Sequence, residues 1–302
     1  NGPAAGLPRV YHIALDLIAH LDGRIESEST TKFIAAYQKV YPLEIGELWA
    51  VPIMLRLALL ENIRRIAARI ALGIKDRNLA ENWAVQLIQT AEQQPANLIL
   101  ILADMARSNP YLSTSFVAEF FRQVQGKSPS LSIALSWIEH RLLEQGQSVE
   151  ERIHLEAQQQ AANQISMGNS IASLRVLSAM DWRDFVEGLS VIEQTLRQDP
   201  AGVYTAMDFA TRDRYRHVVE DLAKRSATNE TTVALQVLTL ALQNAKAHGV
   251  TERTAHVGYF LVEKGLPLLE AEIGARLPVG SYLQRLVCYR PLTIYLGLGA
   301  VL

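Results

Sequence analysis

The sequence is poor in cysteine, in charge of one dominant sign and in long apolar runs, and each shortage closes off a class of protein. A single cysteine, Cys288, cannot form an internal disulfide and fits a reducing compartment. Lys and Arg number 29 against 31 Asp and Glu, a formal net charge of −2, so there is no cationic surplus for a general grip on nucleic acid. No nucleic-acid partner is expected. No convincing run of alternating β-branched residues appears, so no significant sheet is expected either.

Catalytic signatures are missing too. There is no His-Glu-x-x-His pair and no cysteine cluster to hold zinc. No Asp-x-Asp triplet after a strand offers the metal site of sugar-nucleotide transfer. The "GKS" at Gly126–Ser128 lacks the earlier glycine of a phosphate loop, because position 121 is Phe121. No catalytic residue, metal site or cofactor is therefore expected in this chain. A fixed-period repeat is absent, which argues against a regular solenoid. The start, "NGPAAGLPRV", shows neither the basic nor the apolar region of a signal peptide.

What is present is helical periodicity nearly everywhere. Val10, Ile13, Ala14, Leu17 and Leu21 share one face of a first helix near 8–21, which Gly23 ends. Ser and Thr residues in "SESTTKF" start the next. Pro52 suits a first turn, so the spacing predicts a helix that restarts there and reaches about Ile74 or beyond. Later helices are expected near 80–92, 95–107, 112–124, 130–145, 149–179, 182–197, 211–225, 229–247, 251–263, 266–276 and 281–290. The stretch "AQQQAANQISMGNSIAS" is rich in Gln and Asn yet keeps a helical spacing of Ala, Ile and Met. The expected fold class is all-α, a multi-helix bundle in two lobes, 1–148 and 149–290, parted at "EQGQS".

From Pro291 the chain reads "PLTIYLGLGAVL". Those twelve residues would rise about 18 Å as a helix, against roughly 20 residues for a full span. Arg285 and Arg290 flank the run, and Tyr282, Tyr289 and Tyr295 suit a headgroup zone. A buried terminal core helix is the alternative. The expectation is that 291–302 begin a transmembrane helix, with the membrane as a partner at this end.

Charge crowds the stretch "MDFATRDRYRHVVE", residues 207–220. Tyr215, Val218, Val219 and Leu222 fall at i, i+3, i+4 and i+7, the buried stripe of a helix. Thr211 is the expected cap, with Asp213 in the first turn. Asp213–His217 and Arg216–Glu220 are spaced for i,i+4 contacts. Asp199 before Pro200 is expected to cap another short helix. Asp208, Arg212 and Arg214 are the surplus charges, and Asp208, Arg212 or Arg216 is expected to tie the helix start to a neighbouring helix. A ligand or partner surface is the alternative.

A second group lies upstream. Arg56 falls on the same helical face as Leu60, Ile63, Ala67, Ile70 and Ile74, and a buried guanidinium needs a carboxylate or several carbonyls. Asp16, Asp22 and Glu47 are the acids expected to reach it. Glu61, Arg65 and Arg69 read as a solvated stripe on the opposite face. Asp22, Glu47, Trp49, Arg56, Asp208, Arg212 and Arg216 together are the candidate polar network or ligand surface. An aromatic ring with acids also suits glycan binding, so a glycan-active or glycan-binding cleft competes with a packing role. A scaffold for partner proteins is a third reading.

Four blocks carry a resemblance: "GLPRVYHIALDLIAHLDGRI", "AAYQKVYPLEIGELWAVPIMLRLALLENIRR", "MDWRDFVEGLSVIEQTLRQDPAGVYTAMDFATRDRYRHVVEDLAKRS" and "HVGYFLVEKGLPLLE". Together they resemble the N-terminal region of bacterial cyclic β-1,2-glucan synthases, in that family's order. The resemblance implies a helical region ahead of the first membrane helices and of a UDP-glucose-dependent glycosyltransferase domain. It implies that the transferase chemistry lies beyond residue 302 and that the downstream transferase domain is a partner. On this reading the chain is a non-catalytic helical module at the cytoplasmic face of the inner membrane.

Overall fold

The structure, a computed structural model, describes residues 6–276. The helix expected over 281–290, Cys288 and the apolar run 291–302 lie outside the described residues. Fourteen α-helices and three short 3₁₀ turns account for the regular structure, and the described residues contain no strand. The all-α class is as expected. No helix among the described residues is long and apolar enough to cross a membrane.

Two compact units interleave along the chain. The first comprises 6–30 and 52–180, and the second 31–51 and 181–276. The division expected between 148 and 149 coincides with none of the three junctions. Gly146 does turn the chain there with φ 69°, but Ser148 then caps a helix of the same unit.

The first unit holds α1 (Arg9–His20), the start of α2 (Ser27–Gln38) and most of α3 (Ile45–Gln93), then α4 (Leu98–Ser108), α5 (Thr114–Val124), α6 (Ser132–Leu143) and α7 (Val149–Ala179). α3 is one helix where a restart at Pro52 and a separate helix over 80–92 were expected, and Pro52 sits inside it. Its buried positions in this unit include Leu55, Ala58, Leu59, Ile66, Ala80, Ala84, Leu87 and Ala91. Leu60, Ile70 and Ile74, expected in the core beside Arg56, are exposed instead. This stretch of α3 contains two apolar stripes, and the one richer in Leu and Ala faces inward. Ala80, Ala84 and Leu87 share a core with Phe116, Phe120, Met105, Ile138 and Leu142.

α7 is held differently. Ser148 and Glu151 form a reciprocal capping box at its start. Further along, small side chains receive the α1–α2 turn: Ile25 N donates to Ser173 Oγ at 2.7 Å, and Ser173 Oγ donates to Gly23 O at 2.7 Å. A Cβ at Gly23, whose φ is +75°, would lie 2.5 Å from Ser170 Oγ. Only glycine meets both the left-handed backbone and that approach.

The second unit holds the end of α2, the start of α3, α8 (Trp182–Leu189), α9 (Val191–Leu196), α10 (Val203–Ala206), α11 (Phe209–Arg225), α12 (Glu230–His248), α13 (Val257–Val262) and α14 (Leu266–Glu272). The helix expected over 182–197 is two, because Ser190 ends α8 and its hydroxyl caps α9 at Glu193 N. Tyr204, Val219, Leu222, Val233, Val237 and Phe260 form the core. Asp199 fastens three segments by accepting from Val203 N, Tyr204 N and Val257 N and from His256 Nδ1. Burial opposes its ionisation, but the His256 and backbone hydrogen bonds win and hold it below the usual carboxylate range.

Candidate functional site

The charges of 207–220 are gathered around the start of α11. That helix begins at Phe209, two residues before the expected cap, and Asp208 rather than Thr211 is the N-cap, accepting from Thr211 N at 2.8 Å. The longer-reaching carboxylate takes the cap because Thr211 already lies in the first turn. Tyr215, Val219 and Leu222 are buried as the spacing requires.

One turn on, Arg212 forks onto Glu187 of α8, with Nε 3.1 Å and Nη2 2.8 Å from its oxygens, and Nη1 donates to Met207 O. Arg216 is fully buried. Its Nη1 donates to Glu193 Oε2 at 2.6 Å and Glu187 Oε1 at 2.9 Å, and its Nη2 to Asp213 Oδ1 at 3.0 Å. Glu193, equally buried, also accepts from Tyr204 Oη at 2.7 Å and Arg197 Nε at 2.8 Å. Arg216 therefore does not pair with Glu220 as expected; Glu220 accepts from Lys224 instead. Burial alone would raise the Glu187 carboxyl, yet Arg212 and Arg216 hold it below its ordinary range. Burial, the Glu193 hydrogen bond and that carboxylate's charge all push the Tyr204 phenol up. The Arg216 guanidinium lies 5.1 Å from the Phe209 ring centre, and Trp49 meets the same ring edge-on at 6.3 Å.

The remaining candidates are not part of this network. Glu47 accepts from Glu44 N at 2.9 Å at the start of α3. Asp22 occupies the α1–α2 turn with φ 46°, and its carbonyl accepts from Asn169. Arg56 is half-buried, and Nη2 donates to Leu177 O at 3.2 Å. A main-chain carbonyl thus stands where an acid was expected, because α7 brings its last turn alongside Arg56. The acids at the centre of the network, Glu187 and Glu193, went unnoticed in the sequence: they sit on two short helices broken at Ser190, so no single period links them to α11.

A groove of about 620 Å³ opens in the first unit, lined by α3, the α4–α5 loop, α5 and α7. Its volume lies in the range of small-molecule sites. At its base Glu156 of α7, 6% exposed, accepts from Thr114 Oγ1 and Ser115 Oγ at 2.7 and 2.8 Å and from Gln160 Nε2 at 2.8 Å. Arg77 Nη1 stands 3.1 Å away on α3. Burial opposes the charge on Glu156, but these hydrogen bonds and Arg77 hold its carboxyl below the usual range. The carboxylate thereby occupies the positive end of α5. Gln159, Asn163 and Gln164 line the wall, and Tyr111, 78% exposed, stands at the rim. The Gln- and Asn-rich run was visible in the sequence; its role as a wall was not. Among the described residues, no group of three or more His, Cys, Asp or Glu side chains is disposed to hold a metal ion.

No protein-family model matches the chain. It is, however, 33% identical over 287 residues to the cyclic beta-(1,2)-glucan synthase NdvB of Rhizobium meliloti (strain 1021). The chain is similar to a stretch of a cyclic β-(1,2)-glucan synthase. The match takes in 93% of this chain and 10% of that protein, so the chain spans about a tenth of its relative's length. The resemblance carried by the four sequence blocks is thereby shown.

Proposed function

We propose that this chain is a non-catalytic helical module of a membrane-bound synthase that makes cyclic β-1,2-glucan from UDP-glucose, at the cytoplasmic face of the inner membrane. The observation that carries the reading is the 33% identity sustained over 93% of the chain. The arrangement of charge supports it: Arg212, Arg216, Glu187 and Glu193 are consumed by one another inside the second unit and present no reacting group. The module docks on the transferase domain of the same polypeptide. An apolar hollow on the first unit, where Leu57 and Leu60 of α3 face Leu7 and Tyr11, suits such a contact.

The test is made in a full-length synthase that contains this chain. Leu57→Asp with Leu60→Asp should lower glucan output from UDP-glucose in membranes while leaving the amount of protein unchanged. Full output from that variant removes the docking contact. UDP-glucose turnover by the purified 302-residue chain, abolished by a point change within it, overturns the non-catalytic assignment.

A further inference from the structure

The groove between α3, α5 and α7 has features that packing does not require. Helices pack by burying apolar stripes. α7 instead meets α5 through Glu156, whose carboxylate is satisfied by two hydroxyls, an amide and a guanidinium. Next to this base, α7 turns side-chain amides to the open groove at Gln159, Asn163 and Gln164. Each amide both donates and accepts, which matches a ligand whose own groups do both.

Charge narrows the ligand class. The lining contains two cations, Arg69 and Arg77, and two anions, Asp76 and Glu156. Phosphate recognition needs surplus cation or an open helix N-terminus. Here Ser113 caps α5, and Glu156 takes the hydroxyls of its first two residues, so an anionic ligand would face a carboxylate. The ligand that fits is uncharged and rich in hydroxyls.

Tyr111 supplies the remaining element. The loop that carries it is held by Asn109, left-handed at φ 42°, whose Oδ1 accepts from Arg141 Nη2 at 2.7 Å. Ser113 N donates back to Tyr111 O at 2.9 Å. A ring that is mostly exposed is thus kept at the rim by a braced loop. Its flat apolar face, beside amides and hydroxyls, suits the C–H face of a pyranose.

We infer that this groove binds a neutral gluco-oligosaccharide, with Tyr111 as the stacking platform and Asn163 and Gln164 as hydrogen-bonding partners. The identity of the sugar as a β-1,2-linked chain rests on the synthase reading; the groove's fitness for a neutral sugar does not. The site would hold growing glucan beside the transferase without acting on it.

The test is calorimetric titration of the 302-residue chain with a linear β-1,2-linked gluco-oligosaccharide, a β-1,3-linked one and a polar peptide of similar length. Tyr111→Ala combined with Gln164→Ala should weaken sugar binding at least about tenfold, the worth of about one net contact, with an unchanged melting temperature. Binding of the β-1,2 chain that the double change weakens supports the site. Equal binding of both linkages, with the same loss, supports a sugar site and counts against the synthase reading. No binding of either sugar, binding that the double change leaves intact, or binding of the peptide alone overturns the inference.

Discussion

Arg216→Met offers the sharpest perturbation of the second unit. The guanidinium is fully buried and touches Glu193, Glu187 and Asp213 at 2.6, 2.9 and 3.0 Å. Removing one member of a buried pair strands the other, which costs about 3–5 kcal/mol. Glu193 would not be wholly abandoned, since Arg197 and Tyr204 stay at 2.8 and 2.7 Å. The expected loss is therefore at the lower end, about 3 kcal/mol, or roughly 6–12 °C in Tm. Methionine keeps much of the side-chain volume and its contact with Phe209, so the loss reports charge rather than a cavity. Thermal unfolding followed by circular dichroism reads it, with urea titration as a check on two-state behaviour. A double change, Arg216→Met with Glu193→Met, should cost at least about 1 kcal/mol less than the two singles summed, because the stranded charge is gone. Asp208→Ala, on the solvent side of the same helix start, should shift Tm far less. Strict additivity of the two buried changes, or a fall in Tm no larger than that of Asp208→Ala, would refute the picture of a desolvated, mutually dependent network.

Two further outcomes follow from single residues. Gly23→Ala should destabilise the first unit by about 2 kcal/mol or more, combining a disfavoured left-handed backbone with a Cβ 2.5 Å from Ser170 Oγ; thermal melts check it, and Ser170→Ala should recover part of the loss. Glu230, 6% exposed, accepts from Ile45 N at 2.8 Å, and burial pushes its carboxyl from 4.5 up to about 7. A raised carboxyl favours the folded state below the unfolded value of 4.5, and that contribution is lost as pH climbs from 4.5 through about 7. The shift corresponds to at most about 3 kcal/mol. Glu230→Gln keeps an acceptor for Ile45, so it should melt above the native chain at pH 8 and converge with it near pH 4.5; a variant that melts lower at both ends sinks the assignment.

The all-α class was legible because helical period runs through nearly every segment, and the helix expected near 149–179 matches α7, Val149–Ala179. Where one stretch held two apolar stripes, period alone could not choose. α3 carries Leu55, Leu59 and Ile66 on one side and Leu60, Ile70 and Ile74 on another, and only the fold decides that the first set is buried. Arg56 was misread for the same reason: assigned to the inward stripe, it seemed to require an acid, whereas at half-burial a single carbonyl serves. The α11 network was half legible. Arg212 stood out as surplus charge and Arg216 as a possible tie to a neighbouring helix, but their acids come from helices whose pairing no local spacing encodes. The interleaved units were hidden as well, because 31–51 join 181–276 through contacts distant in sequence, such as Gln38 Nε2 to Leu189 O at 2.7 Å.

α7 is the element where sequence-level and structural reasoning meet least easily. A helix of 31 residues usually gains its stability from an apolar face, yet its buried residues are Val149, Glu156, Ser170, Ser173 and Leu177. It is fastened at three places by polar groups: the capping box at Ser148, Glu156 under the start of α5, and the serines that receive the α1–α2 turn. Between the second and third lies the span that carries Gln159, Asn163 and Gln164, and this is the span that borders the groove. Gln159, Gln160 and Gln164 are exposed there, so this span of α7 buries little apolar surface. A local rule broken without gain in packing marks the place to look for function, and here the break coincides with a cavity, a braced aromatic ring and a balanced set of charges. The buried arginine network breaks the same rule and leaves Arg216 Nε without a hydrogen bond, but there is no space for a ligand between Arg216 and its three acids. Of the two polar clusters, the groove is the one that leaves room for a ligand.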